Sequence, residues 1–349
     1  MAARLYPAIW AARHCPPNVP PHRQAQRAPL CRDRGRATMI AALLLMLQLA
    51  AAPWPDTLSP AARAGLAADA ARSPSAPTMA ARRARSEAIQ REIGARQMTR
   101  YGVTMAERTI AGVPVLVFTP RGGGRRDALS LDLHGGGFVV DSGSITENVP
   151  IAALTGSIVV AVRYRLAPEH RFPAALDDAA KVYRAMLAER PRRRIALYGT
   201  SAGAILAGEL IARLRAERMA LPVALGFFSG SGDLTIPGDS MTLFLNAGAA
   251  RGVATLYAGD RDPADPAISP ARASLHGWPP TLCVSSTRDY LLSATAALCR
   301  QLDEAGVPAS TIVFDGLPHA FWSYIEAPES NAAFVAMARF LRRHLEMKR

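Results

Sequence analysis

Short apolar runs alternate with helical stretches along the chain from about residue 101 onward. Seven apolar runs predict strands at residues 113–119, 128–133, 158–162, 195–198, 224–228, 281–284 and 311–314. Apolar positions at helical spacing predict helices near residues 145–154, 174–189, 201–217, 293–304 and 331–347. This alternation predicts a mostly parallel sheet with helices on both faces. Strands that are apolar throughout fit such a sheet, because both of their faces are buried.

Three stretches depart from this alternation. Residues 1–38 are rich in Arg and Pro without periodicity, and we expect a basic, disordered leader there. Residues 55–100 predict helices that are broken by a Ser/Pro patch, and we expect an N-terminal helical cap segment. We expect residues 101–349 to form a single α/β domain, and its Gly- and Pro-rich insertion at about 232–270 predicts a lid or cap.

An apolar run of 14 residues at positions 39–52 follows three arginines and ends in small residues. It is too short to span a bilayer comfortably, and it is typical of a signal-peptide core, which we place at 39–54. We therefore expect an exported protein, periplasmic or secreted, with membrane association through this run as a further expectation. A buried helix is the alternative, and the protein is then cytoplasmic.

The formal net charge of +13 is unevenly distributed. Residues 1–127 hold 19 Lys and Arg against 7 acidic residues, whereas residues 128–349 hold 22 against 21. A nucleic-acid surface needs basic residues clustered on a folded element, preferably with interleaved aromatics. The leader has no such pattern, so we expect no nucleic-acid partner.

The cysteines do not indicate a metal or redox site. Cys15 and Cys31 lie in the leader, Cys283 in a predicted strand and Cys299 in a predicted helix. No two of them have the close spacing of a zinc or redox motif, so we expect buried free thiols. Nothing in the sequence implies a metal or an organic cofactor.

Residues 199–203, Gly-Thr-Ser-Ala-Gly, match the pattern G-x-S-x-G between a predicted strand and a predicted helix. That setting is typical of a nucleophile elbow, a sharp turn that presents the hydroxyl of Ser201 at the top of the sheet. The pattern alone is weak, and the strand before it and the helix after it give it weight.

His134 and three glycines (Gly135, Gly136 and Gly137) directly follow the predicted strand at 128–133. Such a loop exposes backbone N–H groups that stabilise a developing oxyanion, and glycines let the backbone approach the substrate closely. A plain flexible turn is the alternative, but the position upstream of Ser201 disfavours it.

A serine nucleophile needs a base and an acid. Where the serine lies on a nucleophile elbow, the acid follows it in the chain and the His comes last. His319 lies in a loop just past the last predicted strand, whereas His276 and His344 lie in a Gly/Pro loop and on the last helix. Asp289 follows the strand at 281–284 and is our candidate acid. Its rivals are Asp260, Asp262, Asp265 and Asp315.

With these residues in hand, the chain resembles the hormone-sensitive-lipase-like group of bacterial α/β-hydrolase esterases over about residues 80–349. The resemblance rests on four motifs in order: His-Gly-Gly-Gly-Phe at 134–138, Tyr-Arg-Leu-Ala-Pro-Glu-His at 164–170, Phe-Pro-Ala-Ala at 172–175 with Asp177 and Asp178, and Gly-Thr-Ser-Ala-Gly at 199–203. It implies an α/β-hydrolase fold with an eight-stranded, mostly parallel sheet and a helical cap.

The resemblance also implies roles for individual residues. Ser201, Asp289 and His319 would form a catalytic triad. The N–H groups of Gly136, Gly137 and Ala202 would form the oxyanion hole, with Gly135 shaping the loop. Glu169 and His170 would be buried in a polar network near the site.

Three positions depart from the family pattern. Thr200 replaces the Asp that many members carry, although a sub-group has Thr. The usual Asp-Pro-Leu-Arg-Asp is Asp-Tyr-Leu-Leu-Ser at 289–293, which weakens the case for Asp289, and Ala320 replaces the Gly after the catalytic His.

These observations predict a serine carboxylesterase that hydrolyses short- to medium-chain acyl esters through an acyl-enzyme. Its partner would be a small-molecule acyl ester, and the sequence does not indicate an oligomeric state. Two alternatives stay open: a non-catalytic ligand-binding or receptor protein of the same fold, and an amidase or carbamate hydrolase.

Overall fold

The computed structural model describes residues 54–71, 78–189, 194–236, 238–245 and 247–347, which fall in one compact unit. The predicted leader and nearly all of the predicted signal core lie outside the described residues, as do Cys15 and Cys31. Within the described residues, no helix is both long enough and apolar enough to cross a membrane.

A single sheet of eight strands forms the centre of the described part. The strands are β1 (Val103–Ile110), β2 (Val113–Pro120), β3 (Arg125–Leu133), β4 (Ser157–Val162), β5 (Arg194–Thr200), β6 (Ala224–Phe228), β7 (Thr281–Arg288) and β8 (Ala309–Pro318). Their order is β1-β2-β4-β3-β5-β6-β7-β8. β2 is antiparallel to both of its neighbours, and every other pair is parallel. The predicted sheet is confirmed.

Nine α-helices accompany the sheet in the described ranges. They are α1 (Pro60–Ala71), α2 (Met79–Tyr101), α3 (Asn148–Thr155), α4 (Ala174–Glu189), α5 (Ala202–Ala216), α6 (Gly238–Phe244), α7 (Ala247–Ala258), α8 (Leu292–Glu304) and α9 (Pro328–Glu346). Two short 3₁₀ helices span Pro270–Arg272 and Phe321–Ser323.

The alternation of side chains along β5 shows how both faces of the sheet are covered. Ile195 and Leu197 point into a core formed with α4, α5 and α8, and Ala196 and Tyr198 point into a second core formed with α3 and α9. Successive side chains of a strand face opposite sides, so a strand between two helical layers is apolar throughout. Helices on both faces are therefore confirmed.

β1 is the strand that the hydrophobic pattern did not predict. Its sequence, Val-Thr-Met-Ala-Glu-Arg-Thr-Ile, is mostly polar, and only Val103 is buried. The strand lies at the edge of the sheet and pairs with β2 alone, so most of its side chains face solvent.

The N-terminal segment is hydrogen-bonded to α9 and to residues 139–143. Ser59, just before α1, donates to Glu329 of α9 from its backbone N–H at 2.7 Å and from its hydroxyl at 2.8 Å. On α2, Arg83 Nε donates to the Val139 carbonyl oxygen at 2.8 Å. Gln90 of α2 accepts from the N–H of Gly143 at 2.9 Å. α2 thus holds residues 139–143 in place, directly after the loop at residues 134–137, which we call the glycine loop.

The free thiols lie where the sequence placed them. Cys283 on β7 and Cys299 on α8 are both buried and unbonded to another sulfur. No group of three or more His, Cys, Asp or Glu residues in the described ranges is arranged to hold a metal ion.

Candidate active site

Ser201 occupies the turn between the end of β5 and the start of α5. Its backbone has φ 58° and ψ −122°, a conformation that costs energy for a residue with a side chain. The Ser201 N–H donates to the Phe228 carbonyl oxygen at the end of β6 at 2.8 Å, which holds the turn against the neighbouring strand. Strained turns of this kind cluster at functional sites.

Gly203 explains why the elbow needs glycine after the serine. A Cβ at this position would lie 1.7 Å from the carbonyl oxygen of Leu133, the last residue of β3. No rigid backbone accommodates that approach, so only glycine fits. The elbow and the start of the glycine loop are therefore in direct backbone contact.

His319 follows the end of β8, and its imidazole lies between Ser201 and Asp289. Its Nε2 is 2.9 Å from Ser201 Oγ, and its Nδ1 is 2.7 Å from Asp289 Oδ1. If Asp289 accepts the Nδ1–H, Nε2 is left free to take the serine proton. The structure thus brings together the three residues that the sequence singled out.

Asp289 is fully buried, and each of its oxygens accepts two hydrogen bonds. Oδ1 accepts from His319 and from the Leu291 N–H at 2.8 Å, and Oδ2 accepts from the hydroxyls of Ser285, at 2.7 Å, and Ser229. Burial alone would raise the pKa of Asp289, but His319 and these donors lower it below its ordinary value. The carboxylate is therefore ionised despite its burial.

Ser229 and Ser285 were missed in the sequence analysis, although the sequence contains a signal for Ser285. It lies in the buried part of β7, directly after the apolar residues 282–284, where a buried hydroxyl requires a partner. Ser229 follows β6 directly, and its φ of 48° marks a constrained turn. Both hydroxyls orient the carboxylate of Asp289 from the side opposite His319.

The rival acids and histidines lie elsewhere. Asp260 and Asp262 are exposed, and Asp265 is half-buried beside Arg261. The exposed Asp315 accepts from two threonine hydroxyls and does not contact His319. The remaining histidines after Ser201 bond to backbone carbonyls instead: His276 with Ala305 and His344 with Phe340.

The glycine loop lies beside the elbow. The Gly135 N–H donates to the Ser142 carbonyl oxygen at 3.1 Å, so it is occupied within the loop, whose shape it helps to hold. Gly136 has φ 112°, and a Cβ there would lie 2.0 Å from the Val140 carbonyl oxygen. Gly137 and Ala202 line the same cavity as Ser201. The N–H groups of Gly136, Gly137 and Ala202 are thus the candidates for an oxyanion hole.

Thr200, the residue before Ser201, connects the elbow to a buried acid. Its hydroxyl donates to Glu147 Oε2 at 2.8 Å, just before α3. Burial raises the pKa of Glu147 well above its ordinary value. A neutral Glu147 carboxyl group can accept the hydrogen bond from the Thr200 hydroxyl without placing a buried charge beneath the elbow.

Tyr290, the residue after Asp289, packs against His319. The two ring centroids are 4.1 Å apart with an interplanar angle of 27°, which is a stacked arrangement. The Tyr290 ring also lines the cavity that contains Ser201. The phenol therefore lies between the imidazole and the space that a substrate would occupy.

A cavity of about 340 Å³ opens beside Ser201, and mostly apolar side chains line it. Part of its wall belongs to the insertion at 232–270, through the apolar side chains of Leu234, Ile236, Met241, Leu245, Val253 and Ala254. This composition and size suit an apolar group of a small molecule. No residue of α1 or α2 lines this cavity within the described ranges.

The expectation that Glu169 and His170 are buried near the site is wrong, because both are exposed. The carboxylate of Glu169 pairs with Arg83 of α2 at 2.7 Å on the surface. His134 and Tyr164 form the buried polar contact instead: their rings stack at 4.0 Å, and Tyr164 donates to the His134 carbonyl oxygen at 2.7 Å.

Comparison with known proteins places the chain in a family. Residues 130–323, more than half of the chain, match the family model described as "alpha/beta hydrolase fold". An acetyl-hydrolase of Streptomyces hygroscopicus is 33% identical over 225 residues, which are 61% of this chain and 74% of the relative. An esterase of Acinetobacter venetianus is 30% identical over 225 residues, with the same coverage.

Solved structures agree with this assignment. The crystal structure of the esterase E25 has a TM-score of 0.71 at 30% identity and covers 84% of this chain and 97% of its own. An esterase from the bacterial hormone-sensitive lipase family has a TM-score of 0.73 at 30% identity, with 82% and 99% covered. The chain therefore belongs to the α/β-hydrolase fold family, within its bacterial hormone-sensitive-lipase group.

Proposed function

We propose that this protein is a serine carboxylesterase that hydrolyses short- to medium-chain acyl esters through an acyl-enzyme. The observation that carries the proposal is the continuous hydrogen-bonded line from Asp289 through His319 to Ser201, at 2.7 and 2.9 Å. The names of the relatives, acetyl-hydrolase and esterase, support the same chemistry.

In the first half of the reaction, Ser201 Oγ attacks the ester carbonyl carbon while His319 Nε2 takes its proton. The N–H groups of Gly136, Gly137 and Ala202 hold the oxyanion that forms. Asp289 stabilises the imidazolium, which then protonates the departing alcohol. In the second half, His319 activates a water molecule, which releases the acid and restores Ser201.

Two further parts of the chain have a role in the proposal. The insertion at 232–270 forms a cap over the acyl group, because six of its apolar side chains line the cavity beside Ser201. The segment at 55–100 supports the site from outside, through the hydrogen bonds of α2 to residues 139–145. Its contribution is to the position of the glycine loop rather than to the cavity wall.

A fluorophosphonate probe and an ester panel test the proposal. The probe should label the wild-type protein and not Ser201→Ala, and the variant should lose ester hydrolysis by about 10⁶-fold, by analogy with protease triads. Wild-type rates over acetyl to long-chain p-nitrophenyl esters, with an anilide control, give the acyl preference. Retention of more than a few per cent of the activity by Ser201→Ala would exclude this nucleophile. Unlabelled, inactive wild-type protein would favour a ligand-binding role, and equal anilide turnover would favour an amidase.

We also propose that residues 39–52 direct export of the protein. The support is the sequence pattern alone, an apolar core after arginines and before small residues. N-terminal sequencing of the native protein tests it, and we expect a mature start shortly after residue 52 in the periplasmic or secreted fraction. A cytoplasmic protein that retains this segment would contradict the proposal.

A further inference from the structure

Tyr257 belongs to α7 in the insertion at 232–270, and its side chain is buried against the rest of the domain. Its hydroxyl donates to Glu209 Oε2 at 2.6 Å. Its ring stacks on the ring of Phe138, with the centroids 3.5 Å apart and an interplanar angle of 8°. The ring of Phe172 packs against it edge-on, with the centroids 5.8 Å apart. The phenol is therefore held in both position and orientation.

Two of these contacts lead to the candidate donors of the oxyanion hole. Phe138 directly follows Gly137, and its backbone has φ 63°, a conformation that costs energy for a bulky residue and that packing must maintain. Glu209 lies on α5, the helix that begins at Ala202. Tyr257 thus packs against the residue next to one candidate donor and bonds to the helix that carries another.

The same helix also reaches the cavity beside Ser201. Val253 and Ala254 of α7, one turn before Tyr257, line that cavity, whereas Tyr257 is not part of its wall. The side chain of Val253 lies 3.6 Å from the place where a Cβ on Gly137 would be. α7 therefore packs along the glycine loop, from the cavity wall to the buried ring that follows the loop.

Glu209 gives the phenol a directional partner in an otherwise apolar core. The other buried residues of α5 are apolar or glycine, and a carboxyl group among them is costly unless it is hydrogen-bonded. Its Oε1 has no hydrogen-bond partner in the described part of the chain, so the side chain depends on Tyr257. Burial raises the pKa of Glu209 well above its ordinary value, which favours the uncharged form. The hydrogen bond fixes the angle of the ring, which apolar packing alone does not.

We propose that Tyr257 is a positioning residue for the oxyanion hole: its ring, held at a fixed angle by Glu209, keeps Phe138 and the neighbouring Gly137 N–H in place. This inference rests on the proposed esterase function and goes beyond it, because it gives the insertion a part in catalysis as well as in binding the acyl group. Tyr257 is not part of the cavity wall, so it acts through Phe138. An oxyanion donor contributes most when it is fixed before the reaction, and packing on the adjacent residue provides that.

Tyr257→Leu removes both the stacked ring and the hydroxyl, and it should lower kcat about 30-fold. This loss is smaller than the loss of about 10²-fold or more that follows deletion of one oxyanion donor, because the donor is displaced rather than removed. The hole acts on the transition states and not on the bound ester. We therefore expect kcat and kcat/KM to fall by the same factor, with KM changed by less than about twofold.

The hydrogen bond between Tyr257 and Glu209 is tested by milder variants. Tyr257→Phe and Glu209→Leu each remove it, so each should lower kcat about fivefold, the equivalent of one hydrogen bond. The double variant should also lose about fivefold, because both changes remove the same bond. Glu209→Gln keeps an oxygen that accepts from the phenol and should stay within about twofold of the wild-type kcat.

The measurements are steady-state kinetics with p-nitrophenyl butyrate and the inhibition constant Ki of butyl trifluoromethyl ketone. Ser201 Oγ adds to the ketone carbon while its proton passes to His319, and the ketone oxygen becomes an oxyanion in the hole. The Ki should therefore rise by the factor by which kcat/KM falls. Tyr183→Leu is the matched control, because it removes another buried phenol, which bonds to the Ala220 carbonyl oxygen and is not part of the cavity wall. We expect it to lower the urea unfolding midpoint and to leave kcat and Ki within about twofold of wild type.

The inference is wrong if folded Tyr257→Leu keeps kcat and Ki within about twofold of wild type, if its loss lies in KM alone, or if Tyr183→Leu loses as much kcat. If Tyr257→Leu does not fold, the milder variants decide: wild-type kcat and Ki in Glu209→Leu would overturn the inference. Failure of the esterase function itself has a different signature. In that case wild-type protein turns over no ester, or Ser201→Ala keeps the activity, whatever the variants of Tyr257 do.

Discussion

The negative charge of Asp289 can be removed with little change in shape, because its four hydrogen-bond partners determine how an amide would be oriented. In Asp289→Asn, the Leu291 N–H is a fixed donor at 2.8 Å, so the amide oxygen must face it and His319. The amide NH₂ then faces Ser229 and Ser285, whose hydroxyls can rotate to accept. The substitution should therefore preserve the tautomer of His319.

The expected loss is then that of the charge alone. Unit charges about 4 Å apart interact by about 4 kcal/mol at an effective dielectric constant of about 20. The imidazolium that forms during proton transfer loses this stabilisation, and about 4 kcal/mol corresponds to about a 10³-fold lower kcat. A triad whose histidine is forced into the wrong tautomer loses about 10⁴-fold, so this variant should be the milder case.

The assay is kcat for p-nitrophenyl butyrate, with the thermal unfolding midpoint measured to show that the variant is folded. Asp315→Asn is the control, because Asp315 is a rival acid on β8 that accepts from the hydroxyls of Thr57 and Thr287 at the surface. We expect the control to stay within twofold of wild type. If Asp289→Asn keeps more than a tenth of wild-type kcat, or if Asp315→Asn is the inactive variant, the assignment of the acid is wrong.

Three further outcomes follow from the structure. Ala320 adopts φ 51°, so Ala320→Gly should raise the free energy of unfolding by up to about 1 kcal/mol in urea titrations, and a lower value would contradict the strain. Burial raises the pKa of Asp132 to about 8; the folded state therefore binds its proton more tightly, and stability is lost as pH rises from about 4 to about 8. Asp132→Asn should lose less stability between pH 6 and pH 9 than the wild type does. If the urea midpoints of the two proteins are equal at pH 6 and again at pH 9, the prediction is contradicted. Gly203→Ala places a Cβ 1.7 Å from the Leu133 carbonyl oxygen and should abolish ester hydrolysis, so wild-type activity would refute the close approach.

The central strands were predictable because burial on both faces of the sheet requires short runs of consecutive apolar residues. The predicted strand at 224–228 has the observed bounds of β6, and the predicted strand at 281–284 covers the first half of the longer β7. β1 was not predicted because an edge strand with one paired neighbour can be mostly polar. The two helices inside the insertion, α6 and α7, were missed because its glycines and prolines conceal helical periodicity.

The candidate site was predictable in its main residues but not in their support. Ser201, Asp289 and His319 follow from chain order and strand ends. The two hydroxyls on Asp289 come from different parts of the sheet, Ser229 after β6 and Ser285 within β7, and the phenol on His319 depends on side-chain packing. No short motif therefore indicates them. The exposed Glu169 shows the reverse error: Arg83 is 86 residues away in sequence, and the motif alone gives no sign of that partner.

The contact between Gly203 and Leu133 has a consequence for how this enzyme can change. It joins the nucleophile turn to the strand that carries the glycine loop through backbone atoms alone, so their spacing does not depend on any replaceable side chain. The cavity wall, in contrast, is built largely from side chains of the insertion, such as Met241 and Val253. Substitutions there can alter which acyl groups fit while the reacting atoms keep their distances. A library of variants confined to the insertion is therefore the most direct way to change acyl selectivity. Natural substitutions in the insertion can change selectivity in the same way.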